Sequence, residues 1–151
     1  MITYHNGDLL KSKCNIICHQ VNLQGVMGGG LALQIARKYP LCAEKYVKHI
    51  DRYSSNYDLL GDVCYYKEGN SFYIANCFTQ RENFDTDYTA VKKAFEDVEQ
   101  VASCCKLSVG IPYGYGCGIA NGEWEKVESI IKKVFENSKV DCQIWKLNLN
   151  Y

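Results

Sequence analysis

The stretch NIICHQVNLQGVMGGG, residues 15–30, decides how this chain is read. Asn15 to His19 is an apolar run of the length and composition of a strand buried on both faces. Polar residues follow, then three consecutive glycines, and beyond them Leu31, Ala32, Ile35 and Ala36 recur at helical spacing. A strand that enters a helix through a glycine-rich turn is the building unit of an α/β fold. Consecutive glycines cost conformational entropy, so they belong where the backbone takes positive φ or approaches another group closely. The amino end of the helix adds unpaired N–H groups and a partial positive charge, a setting that suits an anion.

The same alternation extends in both directions. Upstream, Ile2 to Tyr4 is a short strand candidate, separated from the first run by a Gly7-Asp8 turn signal. Downstream, Pro40 closes one helix and opens another through about Arg52. Residues 62–67 and 72–78 are rich in Tyr, Val, Phe and Ile and read as a hairpin around Glu68 to Ser71. From Tyr88 the apolar positions 91, 94, 95, 98, 101, 102 and 105 step by three and four, with Thr86 or Asp87 as the helix cap. Leu107 to Pro112 is a buried strand, Trp124 to Phe135 a further amphipathic helix, and Cys142 to Leu147 a last strand. Strands alternating with helices predict one domain over residues 1–151, a sheet covered by helices on both faces. Ligands of such sheets bind where strands end at their carboxyl side.

A second glycine-rich stretch, IPYGYGCGIANG at 111–122, sits in the same strand-to-helix setting. Alternating glycines let successive N–H groups point into one concavity that takes an anion. Neither stretch fits the dinucleotide fingerprint, because Asn121 stands where its last glycine is required, and no phosphate-loop lysine motif occurs. A nicotinamide-dependent redox domain is weakened accordingly.

Of the 151 residues, 17 are Lys or Arg and 17 Asp or Glu, so the formal net charge is zero. That balance argues against a polyanion binder acting through its bulk field, and nucleic acid is not expected as the primary partner. Nine cysteines are an odd number for a disulfide framework, and without a charged-then-apolar leader the chain reads as cytoplasmic. The cysteine and histidine spacings match no metal site, and no metal or cofactor is expected. No apolar run approaches the roughly 20 residues that span a bilayer, so no membrane partner is expected.

On these residues the chain resembles the macrodomains, the ADP-ribose-binding family. Gly7-Asp8-Leu9-Leu10 is similar to the family's opening motif, His19 to Ala32 to its first ligand loop, and Pro112 to Gly118 with Trp124 and Val127 to its phosphate-cradling second loop. His19 three residues before Asn22, the run Gly28 to Ala32, Arg37 to Pro40, and Leu59-Leu60-Gly61 after a Tyr-Ser segment resemble the narrower branch of ADP-ribose 1″-phosphate phosphatases and terminal ADP-ribose glycohydrolases. The likeness runs over nearly the whole length. It implies a three-layer α/β/α sandwich with a mixed central sheet.

It also implies ADP-ribose or a derivative as ligand, bound by Asp8, Leu9, Gln20, Asn22, Met27, Gly28, Gly29, Gly30, Leu31, Pro112, Gly114, Tyr115, Gly116, Cys117 and Gly118. Asp8 then accepts from the adenine amine, since an ionised carboxylate only accepts and that amine only donates. His19 and Asn22 are the expected catalytic residues: Asn22 holds the distal ribose hydroxyls, and His19 positions a water or protonates the leaving group. The expected reaction is hydrolysis at the distal ribose, of ADP-ribose 1″-phosphate, O-acetyl-ADP-ribose or an ADP-ribosylated protein. The alternative is a non-catalytic reader of ADP-ribose or mono-ADP-ribosylated proteins. The branch's glycohydrolases use a lysine nucleophile and an aspartate base. This chain has Thr79-Gln80-Arg81 and Ile119-Ala120-Asn121 at those places, which disfavours a lysine adduct.

Overall fold

A computed structural model describes residues 1–52, 56–82, 84–118 and 120–147, the side chains of 56 and 57 excepted. The Tyr-Ser segment at 53–55 and Ile119 lie outside the described residues. Among the described residues six strands and four α-helices follow in the order β1 (Ile2–Asn6), β2 (Ile16–Val21), α1 (Gly30–Lys38), α2 (Pro40–Asp51), β3 (Val63–Glu68), β4 (Phe72–Phe78), α3 (Tyr88–Cys105), β5 (Val109–Pro112), α4 (Trp124–Phe135) and β6 (Cys142–Lys146). The strands form one sheet in the order β1-β6-β5-β2-β4-β3. All neighbours are parallel except the β3–β4 hairpin, so the sheet is mixed.

Residue alternation sends the two faces of each strand to different helices. Ile16 and Cys18 of β2, with Ala75 and Cys77 of β4, pack in one core with Val91, Phe95 and Val98 of α3 and Val127, Ile131 and Phe135 of α4. On the other face Val21 and Phe78 pack with Tyr46 of α2, and Ile74 packs with Ile35 of α1 and Cys42 of α2. The result is the expected three-layer α/β/α sandwich.

Strand β2 runs further than its apolar segment suggests: Gln20 and Val21 still pair with Cys77 and Phe78 of β4. His19 is therefore inside the strand instead of at its end, with an exposure of 1%. The β5 strand is shorter than expected, because Leu107 turns back to Ala102 of α3 and Ser108 hydrogen-bonds Asn15. Asp87, not Thr86, caps α3 by accepting from Ala90 N–H at 2.9 Å. Parallel strands β1, β6, β5, β2 and β4 all end at the same edge of the sheet, which gathers both glycine loops there. The strand order also gives that edge a direction: Asp8 follows β1 at one side, and residues 79–87 follow β4 at the other.

Candidate active site

A cleft of about 550 Å³ opens between the two glycine loops. One wall is Asn22, Val26 and the run Gly28 to Ala32 at the start of α1; the other is Pro112, Tyr115, Gly116, Gly118 and Ala120. His19, Gln20 and Val21 contribute from β2, and Gln80 and Phe84 from the segment after β4. None of these described lining residues carries a formal charge near neutral pH. No side chain caps the amino end of α1, so its first N–H groups are left to the cleft. In the second loop Gly114 and Gly116 have φ of 80° and 72°, the left-handed region that glycine enters without a Cβ clash.

His19 Nε2 lies 2.6 Å from Asn76 Oδ1. The Asn76 Nδ2 donates to Cys64 O at 3.0 Å, which turns its Oδ1 toward the imidazole and makes Nε2 the donor. Nδ1 is then a lone pair, buried and without a partner. Burial pushes the His19 pKa down to about 4 against the opposing pull of the Asn76 hydrogen bond. The ring is neutral near pH 7, so of the two expected functions His19 is fitted to accept a hydrogen bond from a water or hydroxyl, not to protonate a leaving group.

Asn22 differs from its expected role. Its Oδ1 accepts from Gln24 N–H at 3.1 Å and from Tyr46 Oη at 2.6 Å, and its Nδ2 donates to Val26 O at 2.8 Å. The amide that was to hold ribose hydroxyls instead shapes the first loop, with one Nδ2 hydrogen left over. Gln20 is similarly engaged: Nε2 donates to Thr79 Oγ1 at 3.2 Å and to Thr86 Oγ1 at 3.1 Å.

Several expected ligand residues do not line the cleft. Leu9 is buried, its Cδ1 close over Gly110, and Met27 packs with Val21, Leu23 and Tyr46. Cys117 Sγ points to Tyr115 O, and Asp8 Oδ1 accepts from Leu10 N–H at 2.9 Å, capping a short 3-10 turn over Leu9–Lys11. Tyr115 touches the cleft but is 2% exposed; its hydroxyl pairs with Thr79 Oγ1 at 2.6 Å and its ring meets Phe95 edge-on. Gln80 and Phe84 were not singled out as ligand residues. Of Thr79-Gln80-Arg81 it is Gln80 that faces the cleft, while Arg81 Nε pairs with Asp87 at 2.9 Å. Phe84 sits at φ 64° and is 55% exposed, which no hydrophobic periodicity signals. Among the described residues no group of three or more His, Cys, Asp or Glu side chains is placed to hold a metal ion, and no helix is long and apolar enough to cross a membrane.

No family model matches the chain. An ADP-ribose 1″-phosphate phosphatase of Saccharomyces cerevisiae is 44% identical over 62 residues, 40% of this chain but only 34% of that enzyme. The enzyme of the same name from Meyerozyma guilliermondii is 28% identical over 87% of this chain and 93% of its own length. Among solved structures, the macrodomain of Mycobacterium tuberculosis DarG is 29% identical, covers 96% of this chain and 97% of its own, and superposes with a TM-score of 0.83. Strand order, paired glycine loops and similarity along nearly the full length converge: the chain has the macrodomain fold and is similar to the ADP-ribose 1″-phosphate phosphatases.

Proposed function

We propose that the cleft binds ADP-ribose and that the chain hydrolyses a derivative of it at the distal ribose. The observation that carries this reading is a cleft built from two glycine loops and a helix amino end, with no charged side chain among its described lining residues and an unpartnered imidazole nitrogen on one of them. Main-chain N–H groups of Gly28 to Leu31 and of the second loop suit a diphosphate, as backbone donors and the helix dipole favour negative charge without a cation. In this reading the adenine lies toward Asp8 after β1 and the distal ribose toward β2 and β4; the strand order, with Asp8 at one side and Gln80 and Phe84 at the other, supports that orientation.

At that end the neutral His19 presents an acceptor whose burial without a partner costs roughly 1–3 kcal/mol. A water or ribose hydroxyl donating to Nδ1 relieves that cost and is oriented by doing so, while glycine-loop N–H groups stabilise charge on the reacting group. Relatives named ADP-ribose 1″-phosphate phosphatase support the phosphate ester as the first substrate to try. The deciding measurement is phosphate release from ADP-ribose 1″-phosphate by the wild type and by His19→Ala, with ADP-ribose affinity read by titration calorimetry. Release that falls at least tenfold in the variant is expected. Unchanged release removes His19 from the chemistry, and no release by the wild type with ADP-ribose binding retained leaves the chain a reader of ADP-ribose or of ADP-ribosylated protein.

A further inference from the structure

Thr86 is not among the residues that line the cleft, yet it joins three of the segments that do. It is 8% exposed, and with α3 capped by Asp87 its hydroxyl is released from capping. Thr86 Oγ1 donates to Gly116 O at 2.7 Å and accepts from Gln20 Nε2 at 3.1 Å, while its main-chain N–H donates to Ala120 O at 3.0 Å. The directions are fixed by proton count: a hydroxyl whose one hydrogen goes to a carbonyl needs a donor on its other side, and the Gln20 amide nitrogen supplies it.

The Gly116 carbonyl is thereby held twice, by Thr86 Oγ1 and by Gly122 N–H at 2.8 Å, both from outside the cleft lining. Across the same trans peptide the Cys117 N–H turns the other way, to Gly114 O at 2.9 Å. The contact is close enough to dictate glycine at both positions. A Cβ at 116 would come within 2.8 Å of Thr86 Oγ1, and one at 122 within 2.4 Å of Gly116 O. Gly116, at φ 72°, is also where a peptide plane rotates most easily. Rotation of the 116–117 peptide would aim a carbonyl oxygen, the negative end of its dipole, into a space that must take an anion.

We propose that Thr86 is a positioning residue of this cleft: its hydroxyl keeps the Gly116 carbonyl out of the space for the diphosphate and so sets the anion-binding form of the second loop. The proposal rests on the ADP-ribose reading above. It assigns the latch to a residue after β4, so the loop that reaches the diphosphate is adjusted from the end of the cleft where the distal ribose lies.

The test compares wild type, Thr86→Val and Thr86→Ser by calorimetric titration with ADP-ribose and by amide hydrogen exchange in the ligand-free protein. Valine keeps the shape and removes the hydroxyl; it should weaken ADP-ribose about tenfold, roughly one hydrogen bond's worth, and speed exchange at Gly122 and Cys117 while the α3 amides stay as they are. Serine restores the hydroxyl and should stay within about twofold of the wild type. Valine within twofold of the wild type, or equal losses in valine and serine, overturns the latch. Should the valine variant not fold, Thr86→Ala removes the same hydroxyl with less bulk, and unchanged Gly122 exchange in it overturns the proposal equally. A wild type that binds no ADP-ribose fails the underlying reading instead, and that result needs no variant.

Discussion

The first glycine loop is braced by its own residues and one tyrosine, whereas the second adds to its own backbone hydrogen bonds two hydroxyls from the segment between β4 and α3. In the first, Asn22 hydrogen-bonds Gln24 and Val26 two and four residues on, and Tyr46 of α2 donates to Asn22 and accepts from Gly25 N–H at 3.2 Å. In the second, Thr86 holds Gly116, Thr79 holds Tyr115, and Gln20 ties those two threonines together. A locally braced loop ends in a helix whose free N–H groups point one way regardless of distant residues. A loop braced at long range depends on parts that meet only when the sheet is assembled.

The largest effects should separate the two loops by stability. Gly29 has φ −158°, extended backbone that any residue adopts, so Gly29→Val fills the approach to the α1 amino end without strain. ADP-ribose affinity should fall at least a hundredfold, about 2.7 kcal/mol, with the melting temperature held within about 2 °C. Gly122→Ala places its Cβ against the Gly116 carbonyl and should lose both affinity and about 1–3 kcal/mol of stability. Retained affinity in Gly29→Val would mean that the first loop does not touch the diphosphate, and an unshifted melting curve for Gly122→Ala would break the contrast between the loops.

A smaller effect tests the strand between them. The folded His19 pKa of about 4 lies below the ordinary value of 6.5, so the unfolded chain binds more protons between those pH values. Its stabilising contribution is complete above about pH 6.5 and is lost as pH falls toward 4, amounting to about 2 kcal/mol between pH 7 and 5. Chemical denaturation at those two pH values should show a steeper loss for the wild type than for His19→Gln; parallel losses would place the imidazole in solvent. The smallest change is Tyr46→Phe, which removes the hydroxyl shared with Asn22 and should cost about 1 kcal/mol. Its ligand affinity should drop a few-fold without altering amide exchange at Gly122, and altered exchange there would show that the two loops are braced as one.

Much of this was legible in the chain. The run from Asn15 to His19, the three glycines and the helical step after them placed the first loop, and alternating glycines after Ile111 placed the second. Asn22 was expected to hold the distal ribose hydroxyls, but its partners in the structure are the backbone of Gln24 and Val26 and a tyrosine 24 residues away. Leu9 and Met27 carry motif positions whose side chains the core claims, because apolar groups next to a glycine turn are buried before they are available to a ligand. Phe84 gave no periodic signal, since it lies in a short irregular segment whose φ is set by Arg81 N–H to Asp85 O and Phe84 N–H to Arg81 O.

The sequence by itself determined the layers and the strand-end edge, because side-chain periodicity and glycine placement act over a few residues and need no partner. It also supplied the two glycine loops and the charge balance, since these are properties of composition and local backbone. Only the tertiary structure decided the protonation and partner of His19, the hold of Tyr46 on Asn22, the engagement of Gln20, and the hold of Thr86 on Gly116. Each of those is a contact between residues at least 24 positions apart in the chain. Burial and hydrogen-bond direction exist only after the sheet has brought them together.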